Sequence, residues 1–323
     1  MRTHSVAKKK KKISQTTREV IKTAAVLIVV GILVVVYAIY PLTRAKAVMG
    51  RPNPDAFRNL DSLPVNDPAA CLGADLVCDT FRVEVDALTN LAGLFVEVSS
   101  DTAAPVAGTV ILLHEESADR TALLPWARQF VARGYNVVLY DQRASGLSSG
   151  QYHGEGRLEA DDLEEVLAWL HIRDRLRPPV AVVGRGLGAE AAYLAALEEA
   201  RLDGIVAIEP YLSTDRLWDV KRHARGLWNF PFFKTTMWWW YKIRSGYASP
   251  RRGLDNLEAV PIPALVFLPA DAVDCPEIAA LRELSEPNLL TVRPTPPEGQ
   301  LLESVLAFVD GLRAAAAESS PAR

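Results

Sequence analysis

The sequence predicts an α/β fold, a mostly parallel eight-stranded sheet flanked by helices, with an aromatic-rich cap insertion and an N-terminal transmembrane helix. Three observations predict it. Short β-branched runs alternate with helical periodicity beyond residue 80, an apolar run near the N-terminus carries no charge, and a cluster of Trp and basic residues interrupts the alternation. With 323 residues, 49% apolar and 23% charged, the chain has the composition of a folded protein and not of a disordered or collagen-like one.

The elements follow in order. Residues 1–22 form a basic tail, and residues 23–42 run TAAVLIVVGILVVVYAIYPL without a charge. At 1.5 Å per residue such a helix spans roughly 30 Å, the thickness of a hydrocarbon core. Eight bases (Arg2, Lys8 to Lys12, Arg18, Lys22) precede the run, while only Arg44, Lys46 and Arg51 follow closely. The excess in front places the N-terminus in the cytoplasm and the main domain outside it. Ala45-Lys46-Ala47 offers a signal-peptidase pattern, but the apolar run exceeds the usual signal-peptide core, so an uncleaved anchor is expected. The Ala-rich composition and short basic tail point to a bacterial inner membrane with a periplasmic domain.

The formal charge of −3 hides an asymmetry. Residues 1–51 hold 11 Lys/Arg against Glu19 alone, leaving 25 bases and 38 acids in the remaining 272 residues. So acidic a body is no partner for nucleic acid, whose phosphates require a basic surface. No Cys/His spacing suits a metal, and neither metal nor other cofactor is expected. Cys71 and Cys78 either close a small disulfide loop or stay reduced, and Cys275 has no evident partner.

Residues 43–79 read as a linker, rich in Pro, Asn and Asp over 50–70. The folded domain spans 80–315, followed by a tail at 316–323. Strands are expected at Phe81–Val85, Leu94–Val98, Thr109–Leu113, Asn136–Tyr140, Val180–Val183, Gly204–Ile208, Ala264–Leu268 and Leu289–Val292. Leu158–Arg173 has apolar residues on one helical face and acids on the other, and Ala189–Leu197 is small and apolar all round, hence buried. The cap, 211–247, holds five of the seven Trp, with seven bases against Asp215 and Asp219. Trp238, Trp239 and Trp240 are its densest point. Such a segment packs as a helical lid or meets a lipid interface, an acyl ligand or a protein partner.

Three stretches carry a recognisable pattern: a strand ending in His114, Asp141-Gln-Arg-Ala-Ser-Gly-Leu-Ser-Ser-Gly150 after another, and Gly184-Arg-Gly-Leu-Gly188 after a third. Together they resemble the α/β-hydrolase superfamily, in its esterase, lipase and serine-aminopeptidase-like branch. The second stretch matches that branch's Asp-x-Arg-Gly-x-Gly-x-Ser-x-Gly turn everywhere except Ala144. The resemblance implies acyl transfer by a serine on a Gly-x-Ser-x-Gly elbow, a histidine base after the last strand, and an oxyanion hole from backbone N–H groups.

The chain departs from that pattern at each catalytic place. The nucleophile position is Gly186. None of the five histidines (His4, His114, His153, His171, His223) follows Leu289, and Glu298 is the only titratable residue in the 293–300 segment that should supply the base besides Arg293. Asp271 and Asp274 are the remaining acid candidates. The oxyanion-loop equivalents are His114, Glu115 (where the family has Gly) and Leu187. A pseudoenzyme is therefore expected, binding a lipid or acyl ligand or a protein through Arg185, Ser117 and the cap tryptophans. The alternatives are a hydrolase using Ser117, Ser145 or Cys275, and nucleotide binding at Gly184–Ala189, which with Glu209 satisfies a dinucleotide fingerprint.

Overall fold

A computed structural model of the chain describes residues 14–40, 43, 50, 77–98, 105–211, 218, 223, 233–246, 259–269 and 289–319. Helix α1 (Gln15–Val34) continues through a π-helical turn at Val35–Ile39. It begins eight residues before the charge-free run, because Ser14 caps it by accepting the Thr17 N–H at 3.1 Å and Lys22 pairs with Glu19 at 2.8 Å. Charges bound the apolar run without ending the helix. A window of 23 residues, Gln15–Tyr37, is long and apolar enough to cross a membrane, and none of it is buried.

The body is one sheet of eight strands: β1 (Val77–Asp86), β2 (Thr89–Glu97), β3 (Gly108–Leu113), β4 (Tyr135–Tyr140), β5 (Val180–Arg185), β6 (Gly204–Ile208), β7 (Ala264–Leu268) and β8 (Leu290–Pro294). Their spatial order is β1-β2-β4-β3-β5-β6-β7-β8. β1 and β2 form an antiparallel hairpin, β2 joins β4 antiparallel, and from β4 onward all neighbours are parallel. All eight expected strands are present, β1 starting three residues before the expected domain edge at residue 80.

Helices α2 (Leu124–Ala132), α3 (Arg157–Ile172), α4 (Leu187–Ala195), α5 (Phe233–Ser245) and α6 (Glu298–Ser319) complete the fold. Alternation along β3 shows how the layers form, since successive side chains of a strand face opposite ways. Ile111 and Leu113 join a core with Leu163, Val166 and Leu167 of α3 and Tyr193 of α4. Val110 and Leu112 join a second core with Trp126 and Phe130 of α2 and Val305 and Val309 of α6. Both faces of the sheet are thereby covered, which explains why its parallel strands are continuously apolar. Each fully buried Leu, Ile or Val in these layers contributes roughly 1.5–3 kcal/mol relative to exposure.

Candidate functional site

The parallel register brings the carboxyl ends of β3, β5, β6 and β7 to one edge: Leu113 lies opposite Gly184, Arg185 opposite Ile208 and Ile208 opposite Phe267. Ligands of open α/β sheets sit outside this edge. At it, β5 runs through Gly186 into α4 in one residue. Gly186 has φ +54° and ψ −113°, a left-handed backbone that L side chains rarely adopt. Its N–H donates to the Ile208 carbonyl (2.9 Å), and its carbonyl accepts from Ala189 and Glu190 (both 3.1 Å). The flanking glycines are dictated by space. A Cβ on Gly184 would lie 2.1 Å from the Gly188 carbonyl oxygen, and one on Gly188 would lie 2.6 Å from that of Leu113.

Above Gly186 lies a cavity of about 190 Å³, walled by Glu115, Arg185, Glu209 and Tyr211 with Pro210, Leu268 and Pro269. Arg185 reaches out of it to Glu298, Nη1 to Oε2 at 3.3 Å, and Glu298 also accepts from the Trp126 indole at 3.1 Å. The residue at the start of α6, in the segment where a base histidine was expected, thus touches the elbow through Arg185. Glu209 and Tyr211 were not foreseen as cavity walls. Glu209 stands at φ +51° directly after β6, its N–H donating to the Phe267 carbonyl at 2.8 Å, so the strand end turns it toward the edge. Glu209 stands where the dinucleotide fingerprint needs its ribose-binding acid, but Glu115 puts a second carboxylate beside the turn, which opposes a bound phosphate.

His114 is buried and faces away from chemistry. Its Nε2 accepts the Gln142 N–H at 2.9 Å, and its Nδ1 donates to the Glu115 carbonyl at 2.7 Å. Burial lowers its pKa, with Asp141 acting in the opposite sense, so it is a neutral link between two loops. Glu115 is exposed at the cavity, and Ser117 follows on the next turn with its hydroxyl 3.4 Å from the Glu115 carboxylate. Ser145 is buried within the 141–150 turn. Leu187 is the buried first residue of α4. Trp238, Trp239 and Trp240 lie on α5 and do not wall the cavity. Asp271, Asp274, Cys71 and Cys275 lie outside the described residues, and Cys78 is half-buried on β1.

The 141–150 turn works as a fastener. Asp141 accepts from the N–H groups of Arg120 (2.9 Å) and Leu147 (2.7 Å) and pairs with the Arg120 guanidinium. Gly146, at φ +46°, passes so close that a Cβ there would meet the Asp141 carboxylate at 2.2 Å. Ser148 Oγ accepts from Ala92 N–H (2.8 Å), and Ser149 Oγ accepts from Asn90 N–H (2.7 Å), stapling the turn to β2. Arg143 forms a two-pronged pair with Asp162 of α3, at 2.8 and 2.5 Å. Among the described residues no cluster of three or more His, Cys, Asp or Glu is arranged to hold a metal ion.

Strand order and elbow define an α/β-hydrolase-fold protein. The chain belongs to the X-Pro dipeptidyl-peptidase (S15) family, whose model matches residues 86–257. The uncharacterized protein YqkD of Bacillus subtilis (strain 168) is 32% identical over 86 residues, 27% of this chain and only 28% of that relative's length. Among solved structures, the Pyrococcus furiosus esterase Pf2001 is similar over 77% of this chain and 93% of its own, with TM-score 0.55 and 21% identity. The α/β hydrolase GrgF from Penicillium sp. sh18 (TM-score 0.52, 18% identity, 74% and 99% covered) and a proline iminopeptidase from Mycobacterium smegmatis (TM-score 0.52, 14% identity, 74% and 100% covered) share the fold.

Proposed function

We propose that the protein is a membrane-anchored α/β-hydrolase-fold protein that binds a ligand at the elbow cavity without hydrolysing it. The observation that carries this reading is Gly186: the turn keeps its tight backbone and both required glycines, yet the residue at its apex has no side chain to attack a carbonyl. The dipeptidyl-peptidase activity in the family's name, like esterase activity in its structural neighbours, requires a nucleophile and base at the points this chain leaves unfilled. Removing triad members costs about 10⁴–10⁶ in rate.

The walls select the ligand. Glu115 and Glu209 face the cavity while Arg185 is engaged by Glu298, so a small group carrying positive charge, such as a primary ammonium, fits better than an acyl chain. A lipid or acyl ligand or a protein partner at the cap is the other reading, supported by the tryptophans of α5. The excess of bases before α1 supports an anchor with its N-terminus in the cytoplasm and the body across the membrane.

The test presents the purified full chain with p-nitrophenyl esters, Xaa-Pro p-nitroanilides and a fluorophosphonate probe. Neither turnover nor labelling is expected. Turnover that disappears in Ser117→Ala or Ser145→Ala would replace this reading with that of a hydrolase using an unconventional nucleophile. Native mass spectrometry with alkylammonium ions against carboxylates of equal size then reads the ligand class, which Glu115→Gln should weaken.

A further inference from the structure

Helix α5 presents two unlike faces. Met237 and Tyr241, one turn apart, are buried, and Tyr241 meets the buried Trp218 edge-on at 6.4 Å between ring centroids. On the outer face Trp239 and Ile243, also one turn apart, are 52% and 67% exposed. Beside them the Lys242 ammonium lies 5.3 Å from the Trp238 ring and 5.9 Å from that of Trp239. The helix, FKTTMWWWYKIRS, carries Lys234, Lys242 and Arg244 and no acid. Exposed Trp and Ile among cations is the composition of a helix lying in a membrane interface.

Its position in the chain says which surface it meets. Gly50 forms an antiparallel bridge with Tyr152. The Tyr152 hydroxyl donates to the Arg244 carbonyl of α5 at 2.9 Å, and the Arg244 guanidinium lies over the Tyr152 ring at 5.4 Å. Gly50, ten residues after Tyr40 of the apolar helix, is therefore pinned beside the C-terminal end of α5. Ten residues reach at most about 35 Å. An anchor so short holds the α5 side of the body toward the bilayer that α1 crosses.

We infer that α5 docks the body onto the anionic surface of its own membrane, Trp239 and Ile243 entering the interface and Lys242 beside them meeting acidic headgroups. The body beyond residue 51 is strongly acidic, so electrostatics orient this basic helix downward and push other faces away. The inference rests on the anchor proposed above and goes beyond it by assigning a face and a partner.

None of the seven tryptophans lies in the apolar helix, so tryptophan fluorescence reports on the body alone. The full chain is reconstituted into phosphatidylcholine–phosphatidylglycerol vesicles containing a phosphatidylcholine brominated near the headgroup end of its chains. Wild-type emission is expected to be quenched, more than in vesicles without phosphatidylglycerol. Trp239→Phe should remove most of the quenched component, and Lys242→Glu should weaken quenching severalfold while circular dichroism stays unchanged. Each cation removed weakens contact roughly fivefold. Alkaline carbonate washing separates the two readings. A chain that washes off loses its anchor and this docking with it. A chain that stays but shows no quenching, or quenching indifferent to both variants, overturns the docking alone.

Discussion

Gly186 and Glu115 face each other across the elbow: a Cβ built on Gly186 would lie 3.2 Å from the Glu115 Cβ, closer than most real contacts, and 3.7 Å from the Tyr211 hydroxyl. These are two of the positions at which the chain departs from the hydrolase pattern, and they meet in space. A side chain has gone from the apex and one has been gained opposite it. Gly186→Ser is thus expected to restore no esterase or peptidase turnover, having no histidine to activate it. It should cost about 1–3 kcal/mol through the left-handed backbone and the Glu115 contact. Glu115→Gly should return part of that loss, and a double-mutant cycle by thermal melting in detergent checks the coupling, expected at about 0.5–3 kcal/mol.

The glycines beside the apex are held by backbone, which cannot swing aside as a side chain can. Gly184→Ala and Gly188→Ala are expected to destabilise by about 3 kcal/mol or more, the upper end of overpacking costs. Gly311 is the control. It lies within α6 with nothing within 4 Å of a Cβ, so Gly311→Ala should stabilise by about 0.5–1 kcal/mol through helix propensity. Denaturant midpoints that rank the three variants otherwise would contradict this account of the elbow.

The contrast explains what was legible in the sequence. Strands such as Gly204–Ile208 and Ala264–Leu268 coincide with their expected bounds because both faces of a covered parallel sheet demand apolar residues, which leaves an unbroken run. The elbow was legible because its glycines are required locally. Helix α4 begins at Leu187, two residues before the expected Ala189, since Gly186 caps it and the apolar run alone cannot mark a cap. The cavity walls were not legible. Glu209 and Tyr211 reach Gly186 through the register of β5 with β6, and Glu298 through the return of α6, 113 residues along the chain from Arg185. Such contacts leave no periodic trace.

The Asp141–Gly150 turn keeps its pattern because it holds the fold together. Burial pushes Asp162 up to about 7 while Arg143 opposes it, and burial lowers Arg143 while its bonds to Asp162 raise it more; the two-pronged geometry is that of an ion pair. Asp162→Ala leaves the buried Arg143 guanidinium with only the longer contact to Asp86 at 3.8 Å and is expected to cost about 3 kcal/mol, the low end for breaking a buried pair. Arg143→Lys keeps charge without the fork and should cost less. Urea unfolding of both variants in detergent checks the order.

Glu159 gives the body an acid-sensitive point. It is fully buried at the start of α3, where its carboxylate accepts the Gly154 and Gly156 N–H groups at 2.8 and 2.9 Å and lies 3.4 Å from His153. Burial pushes its pKa up, but His153, Arg143 and the Gly154 N–H outweigh burial and bring it from 4.5 to about 2. A carboxyl whose folded pKa is depressed contributes stability above its unfolded value and loses it as pH falls through the folded one. The contribution, about 3 kcal/mol, is therefore complete above pH 4.5 and disappears toward pH 2. Glu159→Gln does not titrate, so it should be less stable than wild type at pH 7 and approach it as pH drops through that window. Denaturant midpoints of both proteins in detergent across the window decide the matter: a gap that stays constant with pH would show that Glu159 holds the turn by hydrogen bonds alone, without its charge.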